Sequence, residues 1–122
     1  MRRRTKAREY ALQMLYQVDV NRGEPQQAPQ DFWAYHPVPP EVRTFADQLV
    51  QGTLAHRQEI DGLIASHANN WEINRMAVVD RNILRFSTFE LLYVEEIPPK
   101  VVINEAVNIA KKFSQEESGK FV

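Results

Sequence analysis

The sequence of 122 residues contains no cysteine, which excludes disulfide bridges and thiolate metal sites. It also has no run of about 20 apolar residues, the length that a transmembrane helix requires. The basic opening residues lead into an amphipathic stretch and not into the apolar core of a secretory signal. With 43% hydrophobic and 25% charged residues, the composition is that of an ordinary globular domain. These features predict a single cytoplasmic domain without a membrane segment.

The sequence motifs of common enzyme classes are missing as well. Only four glycines occur, and none belongs to a phosphate-binding loop or a Gly-x-Ser-x-Gly elbow. The sequence also has no His-Glu-x-x-His zinc motif. The histidines, His36, His56 and His67, lack the spacing of metal ligands. The adjacent acids at 95–96 and 116–117 point to different helix faces and do not converge on one atom. The sequence therefore predicts a binding protein with no catalytic activity, metal or cofactor.

Positive charge is concentrated at the N-terminus, although the formal net charge is only −1. The first eight residues hold five of the fifteen basic side chains and no acid, so the rest of the chain is net negative. We interpret these five residues as a positive arm detached from the body and call them the arm; they are Arg2, Arg3, Arg4, Lys6 and Arg8. Because a cation placed on a phosphate releases a condensed counterion, the arm indicates a nucleic-acid partner. A solvated, frayed terminus is the alternative.

Apolar residues recur at intervals of three and four and predict helices along most of the chain. A first helix is predicted over residues 5–21, before a proline-rich connection at 23–40. A long pattern then starts at Pro39 and Pro40 and is expected to form two helices, with a break at Gly52 or at 56–57. No strand-like alternation occurs. The prediction is an all-α fold.

Two further helical patterns follow in the second half. The first is apolar nearly all round, so it is expected to be a central helix, with Asp80 as its cap. The second starts at 98–99 and carries a broad stripe that is expected to be buried: Val101, Val102, Ile103, Ala106, Val107, Ile109, Ala110 and Phe113. A last helix is expected to begin near Ser114 and to be cut short at Val122. The predicted division is an N-terminal bundle of about 1–68 and a C-terminal bundle of about 72–122.

Three stretches carry a family resemblance through their order and spacing: Arg-Glu-Tyr-Ala-Leu-Gln-Met-Leu-Tyr at 8–16, Asp-Arg-Asn-Ile-Leu-Arg at 80–85 with Glu90-Leu91, and 97–107 continuing to Lys-Lys-Phe at 111–113. Together they resemble the NusB family of transcription antitermination factors. The closing 118–122 is similar to the start of that family's last motif. The resemblance implies two small helical bundles packed across each other. It also implies binding of single-stranded boxA-type RNA with the ribosomal protein NusE in the transcription elongation complex of rRNA operons.

The resemblance further implies roles for individual residues. Those expected to bind RNA are Arg2, Arg3, Arg4, Lys6, Arg8, Gln13, Tyr16, Phe113, Lys120 and Phe121; those expected to bind the partner protein are Asp80, Arg81 and Glu105. For Tyr16 and Phe113 a place in the core is the competing interpretation, and for Phe113 it is the favoured one. Phe121 is the better candidate for stacking on a base. Structural roles are expected for Arg85 and Glu90.

Two other functions are compatible with the sequence. One is the RNA-recognition domain of a larger rRNA cytosine methyltransferase, since similar bundles occur in such enzymes. The other is a protein-interaction module, with a homodimer that hides the RNA face.

Overall fold

The computed structural model describes residues 2–21, 33, 37–67 and 72–114. It contains α1 (Arg2–Asn21), α2 (Pro40–Ala55), α3 (Arg57–His67), a 3₁₀ turn (Ile73–Arg75), α4 (Val78–Tyr93), α5 (Pro99–Ile109) and a π-helical turn (Ala110–Ser114). All regular structure within these ranges is helical, which confirms the all-α prediction. None of the described helices is long and apolar enough to cross a membrane. Most of the proline-rich connection and the helix expected after Ser114 lie outside the described residues.

Proline and histidine set the boundaries of the middle helices. Helices α2 and α5 both begin at a proline, Pro40 and Pro99, where the fixed φ angle suits a first helical turn and no N–H is lost. Helix α2 ends at Ala55, and the N–H of His56 caps it by donating to the Gly52 carbonyl. The chain re-enters a helix at Arg57. The second of the two predicted break positions is therefore the one used.

The arm is part of a helix. Helix α1 begins at Arg2, three residues before the predicted start at Thr5, and runs without interruption to Asn21. The arm is therefore carried on the first turns of a helix that is packed on the body of the protein. The expectation of a detached arm was wrong, because buried contacts of Ala7 and Arg8 hold these turns in place.

Helix α4 begins earlier than its charge pattern indicated. Its first residue is Val78, and the capping position is Ala77, which supplies no side-chain hydrogen bond. Asp80 lies inside the first turn, where a carboxylate interacts favourably with the positive end of the helix dipole. The assignment of Asp80 as the cap was therefore wrong by three positions.

One hydrophobic core connects all five helices. Its members include Leu12, Leu49, Ile60, Phe86 and Val102, one from each helix in chain order. The ring of Phe89 lies directly against Gly52, where α2 and α4 approach closely. The core is continuous from α1 and α2 to α4. The division into bundles of about 1–68 and 72–122 stays a prediction.

The apolar faces of α4 and α5 are buried less completely than expected. Helix α4 contacts α1, α2, α3 and α5, yet Leu84, Leu91 and Leu92 remain exposed. On α5, Val102 and Ile109 are buried, whereas Ile103 and Val107 are exposed. The expected broad stripe was wrong for these last two residues, because a helix that packs on one side buries only the stripe facing its neighbours.

Candidate nucleic-acid interface

Arg8 is the innermost residue of the arm. Its Nε and Nη2 atoms donate to the two carboxylate oxygens of Glu90 at 2.8 and 2.7 Å, and Nη1 donates to Glu105 at 3.2 Å. The hydroxyl of Thr5 donates to the same Glu105 oxygen at 2.8 Å. The Arg8 side chain is only 3% exposed. We call Arg8, Glu90 and Glu105 the clamp, because they fasten α1 to α4 and α5.

All three clamp residues had a role predicted from the sequence or the family resemblance. Glu90 has the structural role expected of it. Arg8 lies in the interior and has its guanidinium occupied by carboxylates, so it offers no free charge at the surface. Glu105, expected at the partner interface, is bound within the chain and is partly buried.

Arg4 lies one helical turn before Arg8 and has different surroundings. Its guanidinium stacks over the ring of Phe45, with 4.3 Å between the guanidinium carbon and the ring centroid. Arg8 approaches the same ring at 5.4 Å. Arg4 is exposed, and no carboxylate among the described residues forms an ion pair with it. Its charge is thus available to an external anion, and the aromatic ring restricts its position.

The neighbouring arm cations, Arg3 and Lys6, are exposed and each forms an ion pair. Arg3 pairs with Glu41, and Lys6 pairs with Glu9 at 3.8 Å. The arginine and lysine side chains are 64% and 62% exposed. The Arg3–Glu41 pair is exposed on both sides and contributes little free energy, so a phosphate can replace the carboxylate there at small cost. Glu9 is only 11% exposed and also pairs with Lys112. Arg2 belongs to α1, but its side chain is outside the described structure.

The π-helical turn after α5 extends the basic surface. Lys112 Nζ lies 3.3 and 3.2 Å from the two oxygens of Glu9, the same carboxylate that Lys6 approaches. Phe113 is 8% exposed and belongs to the hydrophobic core, which agrees with the favoured interpretation of its helical stripe. Lys120 and Phe121 lie outside the described residues.

Two polar positions expected to face RNA lie further along α1. Gln13 is half-buried. Tyr16 is also half-buried and packs against the hydrophobic core. Both lie on the helix that carries the arm, with only part of each side chain accessible to a ligand.

A cluster of acidic and basic side chains lies between α1, α3 and α4 and was not predicted from the sequence. Arg81 donates to both oxygens of Asp19 at 2.8 and 2.7 Å, and Asn82 donates to Asp19 at 2.9 Å. Arg85 donates to Asp19 at 3.0 Å and to both oxygens of Asp61 at 2.8 and 3.1 Å. Arg85 thus has the structural role that was expected. Arg81, expected at the partner interface, is engaged within the chain.

Electrostatics favours the ionised form of Asp19 in this cluster. Burial alone would raise the pKa of Asp19, but hydrogen bonds from Arg81 and Asn82 and the charges of Arg81 and Arg85 outweigh it and lower the pKa to about 2. The hydrogen bonds that Arg81 donates to Asp19 raise the pKa of Arg81. The pairing joins residues more than sixty positions apart, so no local spacing in the sequence could have revealed it.

Comparison with known proteins identifies relatives along nearly the whole chain. A model of the NusB family matches residues 5–122. The transcription antitermination protein NusB of Syntrophus aciditrophicus is 44% identical over all of this chain and 76% of its own length. The protein of the same name from Anaeromyxobacter dehalogenans is 49% identical over 98% of this chain and 84% of its own length.

The fold is also similar to that of solved structures. The NusB structure from T. maritima is 34% identical and has a TM-score of 0.82, covering 97% of this chain and 83% of that one. A crystal structure of antitermination factors NusB and NusE in complex with dsRNA is 29% identical, with a TM-score of 0.82, and covers 92% of this chain and 83% of that one.

Proposed function

Because the chain belongs to the NusB family, we propose that it is a non-catalytic, cytoplasmic transcription antitermination factor that binds RNA through the first turns of α1. One observation carries the assignment of the surface. The guanidinium of Arg4 lies on the ring of Phe45, has no ion-pair partner within the described part of the chain, and stands between the exposed cations Arg3 and Lys6. Several cations along one helix can each contact a phosphate of a flexible strand, and the ring of Phe45 holds one of these cations, Arg4, in place.

The proposed RNA partner is a single strand of the boxA type. The relative solved with NusE contains double-stranded RNA, so strandedness is a separate question for this chain. An unpaired strand exposes base faces and edges that a duplex hides, and a protein reads its sequence through them. We propose that the full assembly contains NusE and the transcription elongation complex, and that the net negative body favours a basic ribosomal protein.

The test of this function is the salt dependence of RNA binding. Arg2, Arg3 and Arg4 are replaced together by alanine, and affinity for a labelled boxA-like strand is measured over a range of salt concentrations. Each lost phosphate contact lowers the log–log slope by about 0.7 on a single strand. The variant is therefore expected to bind more weakly and with a flatter slope. An unchanged slope, with helicity intact by circular dichroism, would remove the arm from the RNA interface.

The same titration, repeated with duplex RNA and with NusE present, tests which form of RNA is bound and whether NusE contributes. We expect the single strand to bind more tightly than its duplex and NusE to increase the affinity. A mass measurement over a range of protein concentrations, with and without RNA, tests the homodimer: a dimer that hides the RNA face dissociates when RNA is added.

The relatives favour this function over the methyltransferase alternative. The chain covers 76% and 84% of the two antitermination proteins described above, so neither has room for an additional catalytic domain of several hundred residues.

A further inference from the structure

A cleft of about 320 Å³ opens between the first turns of α1 and the turn that joins α4 to α5. Its volume is at the lower end of the roughly 300–1,000 Å³ typical of small-molecule sites. Apolar atoms form most of the surface of the cleft, although three apolar and four charged residues line it: Ile97, Pro98 and Val101, with Arg4, Arg8, Glu96 and Glu105. No binding role was predicted for this turn.

The four charged residues of the cleft divide into two pairs. Arg8 and Glu105 belong to the clamp and satisfy each other within the protein. Arg4 and Glu96 are both exposed, so they stand at the mouth of the cleft. Among the described residues, none forms a hydrogen bond or an ion pair with the Glu96 carboxylate. As far as residues 2–21, 33, 37–67 and 72–114 show, the cleft thus presents one guanidinium and one carboxylate without ion-pair partners at its mouth.

This combination matches an unstacked nucleobase. A base has flat faces that pack on apolar side chains and stack on a guanidinium, as Arg4 offers. It also has a polar edge, and an exocyclic amine on that edge donates to a carboxylate, as Glu96 offers. The phosphates on either side of such a base would lie near the remaining arm cations, because Arg4 belongs to both the cleft and the arm.

We propose that the cleft binds one unstacked base that carries an exocyclic amine, and that Glu96 selects cytosine over uracil there. This inference rests on the proposed RNA-binding function. Uracil places a carbonyl oxygen where cytosine places its amine, so it would set an acceptor against the carboxylate and leave both unpaired. A lysine or arginine of a protein partner would also pair with Glu96. Repulsion by Arg4 at the same mouth disfavours such a cation.

The experiment compares two neighbouring carboxylates. Fluorescein-labelled oligocytidine and oligouridine strands of about twelve nucleotides are titrated with the full chain by anisotropy at one fixed salt concentration. The variants are Glu96→Gln and, as the matched control, Glu95→Gln, which removes the same charge from the same turn but does not line the cleft. General electrostatic attraction to RNA thus changes alike in both.

The wild-type chain is expected to prefer the cytidine strand by roughly five- to tenfold, the value of one good base-edge contact. Glu96→Gln is expected to bring the ratio close to one, because an amide donates to uracil and accepts from cytosine alike. Glu95→Gln is expected to keep the wild-type ratio. A second variant, Val101→Phe, fills the cleft and is expected to lower the ratio without changing the salt slope that the arm determines.

Each remaining outcome overturns a defined claim. A wild-type ratio of one, or equal ratios for the two glutamine variants, overturns base selection and leaves RNA binding intact. Loss of NusE affinity in Glu96→Gln with an unchanged cytidine preference assigns the cleft to a protein side chain and overturns the proposal. If the wild-type chain binds neither strand at low salt, nor a boxA-like strand, the proposed function falls and takes this inference with it.

Discussion

Arg8 and Glu90, 82 positions apart in the sequence, form a two-pronged ion pair in the interior, where their side chains are 3% and 1% exposed. Charges at such a site are desolvated, so removing one partner would leave the other charge buried and unpaired. Replacing both residues by an apolar pair would cost much less stability. This explains why a residue of the arm acts from inside the fold.

Replacing Arg8 by methionine is expected to lower the free energy of unfolding by about 3–5 kcal/mol, because Glu90 would remain buried without its cation. The double variant Arg8→Met with Glu90→Met is expected to recover most of that loss. Urea denaturation of the wild type and of both variants measures the two values. A single variant as stable as the wild type would show that the clamp contributes nothing.

Arg4, one turn earlier, is expected to show the opposite behaviour. Arg4→Gln should reduce the log–log salt slope of RNA binding by about 0.7, with a change of at most about 1 kcal/mol in the free energy of unfolding. Arg75→Gln is the matched control, since Arg75 is 82% exposed and lies on the 3₁₀ turn outside the arm. Equal salt slopes for the two variants would contradict the role given to Arg4.

Asp19 is expected to make stability depend on acid pH. Its pKa is about 2 in the folded chain against an ordinary value of 3.8, so its stabilising effect is complete above pH 4–5 and is lost as the pH falls toward 2. The expected loss is about 1–2 kcal/mol. It is measured by urea denaturation at several pH values between 6 and 2.

Asp19→Asn is the control for this pH dependence. It should be less stable than the wild type at pH 6, because Arg81 and Arg85 lose their shared carboxylate. Its stability should fall less steeply below pH 4, while the other carboxylates titrate in both proteins. Parallel curves for the two proteins would exclude Asp19 as the source.

Gly52 and Gly62 are both helical glycines, but alanine is expected to act differently at each. A Cβ atom at Gly52 would overlap the ring of Phe89, whereas at Gly62 it would meet nothing within 4 Å. Gly52→Ala should therefore destabilise the fold by about 1–3 kcal/mol through overpacking. Gly62→Ala should stabilise it by up to about 1 kcal/mol through helix propensity. Thermal denaturation of the two variants checks both values, and a neutral Gly52→Ala would contradict the tight contact.

Local signals in the sequence predicted most helices well. Pro40 and Pro99 start helices as expected, and the break at His56 was one of two predicted positions. The errors arose where packing against a neighbouring helix determines which side chains are buried. Ile103 and Val107 have the spacing of a buried stripe but face away from the helices that α5 contacts. No periodicity within one helix specifies how many sides of that helix a partner covers.

The candidate site was predictable in composition but not in geometry. The count of basic residues indicated a surface for phosphates, and it treated Arg4 and Arg8 alike. Only the tertiary structure separates them, because Glu90 and Glu105 reach Arg8 from helices far along the chain. No binding role was predicted for Glu96 for the same reason: its place beside Arg4 depends on how the turn after α4 meets α1.

For the RNA surface proposed above, the clamp would also affect how fast and how selectively a polyanion binds. Since α1 is anchored from Arg8 back to its first turns, the spacing of its cations is set before encounter, and no coil-to-helix transition accompanies association. A preorganised row of charges avoids the entropic penalty of coupled folding and binding. Binding should then resemble rigid-body docking, steered by long-range attraction and completed by adjustments within the flexible strand.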